Sequence, residues 1–204
     1  MEYFNILSKD AKMKLLIEKI PQVNIQKINQ QAPLREHLIG SIVSQQLSIK
    51  VAPIIFNRFK SIYNGKFPSN KKIIETDIEV LRSCGLSYQK SNYIKNIALF
   101  FEEKKLKNTQ FESMTDDEIT QLLTEIKGVG KWTVEMTLMF CLGREDVFSV
   151  ADYGIQTAMK EVYSIKKEKK ELEKKMLSIA AQWKPYRTIA CLYLWAYKDQ
   201  KIKL

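Results

Sequence analysis

"TEIKGVGKWTVEM", residues 124–136, ends one helical pattern and begins another. Apolar residues recur at three- and four-residue spacing on both sides, while Gly128 and Gly130 bracket the single Val129. A glycine costs a helix interior on the order of 1 kcal/mol relative to alanine, so two of them one residue apart mark a break. Helix, apolar-x-Gly-apolar-Gly turn and second helix make a helix–hairpin–helix unit. The glycines permit positive φ and remove side chains that would block close approach. Backbone N–H groups of the turn and of the new helix N-terminus then face outward together, an arrangement suited to a DNA phosphate. Gly128, Val129, Gly130, Lys131 and Thr133 are therefore candidate DNA-binding residues. A glycine-terminated helix with a chance restart is the competing reading of the same residues.

Working outward, the chain reads as helix almost throughout. Leu34, Leu38 and Ile42, with Ile39 and Val43 beside them, lay an apolar stripe along a helix starting near Pro33. Ser48 is expected to cap a helix to about Tyr63, distorted locally by Pro53. Thr76 with Glu79, and Thr115 with Glu118, match the capping box. Ser87 opens a long helix carrying Tyr93, Ile94, Ile97 and Ala98. Further helices are expected near 131–141, 153–164 and 168–182, and a last one with Pro185 in its first turn runs through Trp195. The Lys/Glu-rich run 166–175 reads as a solvated helix face. No alternating strand pattern competes, so the fold class is all-α.

At 204 residues the chain can bury one good core, or two small lobes. Lys+Arg outnumber Asp+Glu by 33 to 23, and the net charge of +10 points toward a polyanionic partner. The N-terminus lacks the pattern of a secretory signal, and no window approaches the ~18 apolar residues of a membrane span. Three dispersed cysteines, Cys84, Cys141 and Cys191, fit a reducing, intracellular and cytoplasmic setting and exclude a four-thiolate cluster. The lone histidine, His37, sits on the polar side of an apolar helix and reads as structural.

Five segments in order carry a resemblance over nearly the whole chain from Leu34 onward: "LIGSIVSQQLS" (38–48), "LRSCGLSYQKSNYI" (81–94), "IKGVGKWTVEM" (126–136), "DVFSVADYGI" (146–155) and "WKPYRTIACLYLW" (183–195). Together they resemble the helix–hairpin–helix DNA glycosylase superfamily, specifically its alkylated-base (3-methyladenine) glycosylases. The resemblance implies a single glycosylase domain over 1–204 with two helical lobes flanking a basic DNA-binding cleft. One lobe spans about 34–131 and ends in the hairpin; the other joins 1–33 to 132–204. The implied catalytic carboxylate is Asp152, in "SVADYG"; taken alone, the same residue reads as an ordinary helix N-cap. Asp146 is assigned a structural role.

The implied reaction is cleavage of an N-glycosidic bond in DNA. Positive charge grows on the sugar as the base leaves, and a carboxylate can stabilise it or help deprotonate the attacking water. A base alkylated at a ring nitrogen already carries positive charge and leaves with little general acid. Relatives that also nick the strand use a lysine amine, and the matching position here is Trp132. Lys131 is one residue early, which turns its side chain by about 100° on a helix. Trp132 and Trp195 are implied pocket aromatics, able to stack on a flipped, cationic base; core packing is the alternative for each. Gln46 matches the wedge that fills the space left by the flipped base, with Leu47 as the neighbouring candidate. The carbonyls of Thr124, Ile126 and Val129 match those that hold a structural Na or K ion in this superfamily; no other cofactor is implied. The expected activity is that of a monofunctional base-excision glycosylase acting as a monomer on double-stranded DNA containing damaged bases, with no membrane partner. The alternatives are a glycosylase for a deaminated or oxidised base, and a non-catalytic helix–hairpin–helix DNA-binding module.

Overall fold

The computed structural model describes residues 2–20, 23, 33–48 and 50–200. Among these, the order is α1 (Glu2–Leu7), α2 (Ala11–Lys19), α3 (Leu34–Ser44), α4 (Val51–Ser61), α5 (Asn70–Glu75), α6 (Ile78–Ser83), α7 (Tyr88–Glu103), a 3-10 helix (Asn108–Glu112), α8 (Asp116–Thr124), α9 (Lys131–Phe140), α10 (Tyr153–Val162), α11 (Lys169–Ala180), a 3-10 turn (Ala181–Trp183) and α12 (Arg187–Gln200). No strand occurs among the described residues. The chain divides into two compact units, Gln31–Thr137 and Met1–Gln30 with Leu138–Leu204. The division falls inside α9 after Thr137, where the sequence reading put it after residue 131. Side-chain bonds explain the shift: Thr133 and Thr137, in the first turns of α9, engage Gln45 and His37 of the segment around α3.

In the unit spanning 31–137, α7 is the axis, packed against α3, α5 and α6. Leu38, Ile39, Ile42 and Val43 of α3 are buried together with Ile94, Ile97 and Ala98 of α7, each on the apolar stripe of its helix. Ser87 caps α7 by accepting from Lys90 N–H, and Thr115 and Glu118 form the expected capping box on α8. The other expected box is displaced. Asp77, not Thr76, caps α6, because Thr76 closes α5 by donating its hydroxyl to the Lys72 carbonyl. Pro53 does not distort α4. It lies in the first turn, where its missing N–H removes no intrahelical bond.

The second unit is organised around α12, which contacts α2 and α10 and is buried over most of its circumference from Thr188 to Leu194. Pro185 lies outside this helix, which begins at Arg187. The buried carboxylate of Asp10 caps α2 through Lys12 and Met13 N–H. Its second oxygen accepts from Tyr163 Oη at 2.8 Å, Gln182 Nε2 at 3.0 Å and Trp183 Nε1 at 3.0 Å. Burial first, then the charge of Asp10, pushes the Tyr163 phenol far above its ordinary range, so it remains a donor. A charge is tolerated at such depth only when its oxygens are satisfied in this way. The run at 166–175 is exposed apart from Leu172 and the half-buried Glu173, and Lys167 pairs with Glu171 at 2.9 Å. All three cysteines are buried, and burial raises the Cys141 thiol to about 11. No helix among the described residues is long and apolar enough to cross a membrane.

Candidate active site and nucleic-acid interface

The hairpin's two glycines do different things. Gly128 has φ +108°, and a Cβ there would come within 2.2 Å of Cγ of the Tyr93 ring from α7. Gly130 has no positive φ, and a Cβ on it would meet nothing within 4 Å. Of the two roles expected of the glycines, positive φ falls to Gly128 alone, and at Gly130 the missing side chain leaves open space on the exposed side of the turn. The turn is held by Val129 N–H donating to the Ile126 carbonyl at 2.9 Å and by Asn96 Nδ2 donating to the Lys127 carbonyl at 3.1 Å. Val129 and Ile126 bury their side chains, leaving backbone as what they offer outward. At the end of α8 the Thr124 hydroxyl donates to the Thr120 carbonyl at 2.7 Å.

Helix α9 then presents three consecutive residues in three directions. Lys131 is exposed, its Nζ 4.0 Å from Glu135 Oε1. Trp132 is 40% exposed. Thr133 is buried, its hydroxyl accepting from Gln45 Nε2 at a long 3.5 Å. The side chain of Thr133 is therefore turned away from any outer surface, and what it can offer a phosphate is its first-turn N–H.

Trp132 and Thr133 line a cavity of about 1100 Å³ within this unit. Its other wall is the polar stripe of α3 and the turn beyond: His37, Gly40, Ser41, Ser44, Gln45 and Gln46 among them. Gln46 is exposed and Leu47 half-buried. Sequence reading treated His37 as structural, yet it lies on this wall. The polar side of α3 on which the sequence placed it, shared with Ser41, Ser44 and Gln45, is the side that lines the cavity. The Thr137 hydroxyl donates to the Thr133 carbonyl at 2.9 Å, so its oxygen accepts from His37 Nδ1 at 3.3 Å. That leaves Nε2 as the imidazole's acceptor, and burial lowers the pKa so that the neutral ring persists.

Asp152 belongs to the other unit. It is the N-cap of α10, and its Oδ1 accepts from Ile155 N–H at 2.8 Å and from Trp195 Nε1 at 2.9 Å. The capping and catalytic readings therefore fall on one carboxylate. Trp195 packs on Phe140 with centroids 5.9 Å apart, and its indole N–H is committed to Asp152. Gly154, which the sequence reading passed over, makes this possible: a Cβ there would come within 3.0 Å of Asp152 Oδ1 and 3.1 Å of Trp195 Cδ1. The loop before Asp152 is fixed in turn. Arg187 Nε and Nη2 donate to both carboxylate oxygens of Asp146, and Thr188 Oγ1 donates to the Arg144 carbonyl at 2.6 Å while accepting from Val147 N–H at 3.1 Å. Asp146 thus anchors the loop that carries Asp152.

Residues 39–182 match the family described as "HhH-GPD superfamily base excision DNA repair protein". The chain belongs to the HhH-GPD superfamily. It is 36% identical to DNA-3-methyladenine glycosylase 1 of Schizosaccharomyces pombe over 188 residues, 91% of this chain and 82% of that protein. Its structure is similar to that of S. pombe 3-methyladenine DNA glycosylase (Mag1) in complex with abasic DNA, with a TM-score of 0.86, 33% identity and coverage of 98% and 97% of the two chains. It is also similar to a DNA-3-methyladenine glycosidase from Bacillus halodurans, with a TM-score of 0.82, 34% identity and coverage of 96% and 88%. The HhH-GPD match takes in the hairpin and Asp152, while His37 and Trp195 lie outside its bounds.

Proposed function

We propose that this chain is a monofunctional DNA glycosylase of base-excision repair, hydrolysing the N-glycosidic bond of alkylated purines such as 3-methyladenine in double-stranded DNA. The observation that carries the reading is the Asp152 carboxylate, held by Ile155 N–H and Trp195 Nε1 in a chain of this superfamily. The hairpin binds the DNA backbone, Gln46 fills the gap left by the flipped nucleotide, and Trp132 stacks on the cationic base. As the bond breaks, its electron pair leaves with the base, and Asp152 stabilises the positive sugar. Water adds at the sugar carbon and loses a proton, leaving an unbroken strand with an abasic site. Lys131 lies one residue before Trp132 on α9, so no amine occupies the position from which a covalent step would start.

The carbonyls of Thr124, Ile126 and Val129 suit a monovalent cation. They are hard, neutral oxygens, and the Ile126 carbonyl keeps a second lone pair beyond its bond from Val129 N–H. No cluster of His, Cys, Asp or Glu fit for a metal occurs among the described residues. An Na or K ion there would neutralise phosphate charge at the hairpin and take no part in bond cleavage. The protein acts as a monomer inside the cell, where its DNA substrate is. Release of free methylated bases from methylated duplex DNA, identified by chromatography, tests the reading. Binding without release would make the chain a DNA-binding module, and release of only deaminated or oxidised bases would move its substrate class.

A further inference from the structure

The turn after α3 carries an unfavourable backbone at an informative place. Gln45 has φ −50° and ψ 130°, Gln46 has φ +57°, and Leu47 N–H donates to the Ser44 carbonyl at 3.1 Å. These values are those of a type II turn, whose third residue needs positive φ and is usually Gly or Asn. A type I turn closes the same hydrogen bond and suits ordinary residues. The two differ by a flip of the central peptide, here the one joining Gln45 to Gln46. The carbonyl of that peptide belongs to Gln45, and Lys90 Nζ donates to it at 2.6 Å. The same ammonium donates to the Val43 carbonyl at 2.8 Å, so one cation from the first turn of α7 spans the end of α3 and the turn beyond it.

We propose that Lys90 is a positioning residue that selects the type II turn and thereby sets Gln46 in its exposed, left-handed conformation before DNA arrives. Flipping the peptide to type I would carry the Gln45 carbonyl away from the ammonium. Lys90 thus offsets the cost of a left-handed non-glycine residue, and Gln46 is presented without ordering at the moment of base extrusion. The role rests on the reading of Gln46 as the residue that fills the vacated stack. It touches neither the base nor the reacting bond.

A strand methylated with dimethyl sulfate, assayed alone or annealed to its complement, separates extrusion from bond cleavage, because an unpaired base needs far less extrusion. Lys90→Met should lower single-turnover base release from the duplex about tenfold, a size set by the cost of a left-handed residue, and leave release from the single strand within about twofold. Gln46→Ala should reproduce the duplex loss. A crystal structure of Lys90→Met should show the 45–46 peptide flipped and Gln46 at negative φ. An equal loss on both substrates, an unchanged duplex rate, or Gln46 still left-handed in the variant overturns the proposal. Duplex release untouched by Gln46→Ala would overturn the wedge reading alone. No release by wild type from either strand would defeat the glycosylase reading, with the crystal structure still deciding what Lys90 does to the turn.

Discussion

Asp152 both caps a helix and is the proposed catalytic group, and asparagine separates the two roles. Asp152→Asn keeps an oxygen for Ile155 N–H and Trp195 Nε1, and asparagine is as good a cap as aspartate. Excision should fall on the order of 10²–10³-fold, as for loss of a charge-stabilising group, while the melting temperature holds. Asp152→Ala should lose activity equally and also about 1 kcal/mol of stability. Comparable excision by wild type and Asp152→Asn would remove the catalytic assignment. Gly154→Ala offers a subtler probe. Alanine favours the helix, yet its methyl would press between Asp152 Oδ1 and Trp195. A variant as stable as wild type but roughly ten- to a hundredfold slower is expected; wild-type rates would show that the carboxylate tolerates the displacement. His37 sets a pH dependence. Its folded pKa lies below the ordinary 6.5, so as pH falls through 6.5 the unfolded chain binds a proton that the folded chain refuses. Stability should therefore drop from pH 6.5 downward until the folded pKa is reached, and His37→Gln should flatten that slope in urea melts. Identical slopes in the two proteins would mean that the ring is free to charge in the folded state.

At the scale of elements, the hairpin supplies its own control. Gly128→Ala meets both a left-handed φ and the Tyr93 ring, so it should cost more than about 1–2 kcal/mol of stability. Gly130→Val puts its Cβ where nothing lies within 4 Å and should fold within about 0.5 kcal/mol of wild type. Its DNA affinity should nevertheless fall, with little dependence on the lesion, in a fluorescence-anisotropy titration. Unchanged affinity would take Gly130 out of the interface. The sequence carried the hairpin, the Thr115–Glu118 box and the Ser87 cap because each rests on neighbours along the chain. It misassigned the cap at Thr76 because both Thr76 and Asp77 can cap, and the choice is made by the preceding helix, which takes the Thr76 hydroxyl. That the stripe containing His37 lines a cavity was hidden for a related reason. Polar residues on a helix read as solvated until a second helix, here α9, encloses them.

The net charge of +10 acts at the scale of the whole molecule. DNA affinity should fall about tenfold or more between 50 and 200 mM salt as counterions are no longer released at a gain; a flat response would leave the charge without a role in binding. Borohydride should trap no protein–DNA adduct on methylated duplex, since the proposed mechanism uses water and has Trp132, not a lysine, in the base pocket. Efficient trapping would point first to Lys131. The division of the chain has a further consequence, in time. The unit from Gln31 to Thr137 is contiguous, so the ribosome delivers all of it in one stretch. The other is not. Asp10 lies 173 residues before its partner Trp183, which at ordinary translation rates is a wait of roughly 10–35 s. For that interval α1 and α2 have emerged without the surface they pack on, while the intervening segment can already have collapsed. Helices α1 and α2 are thus among the last elements of this chain to find their place, and chaperone capture during synthesis should concentrate on them.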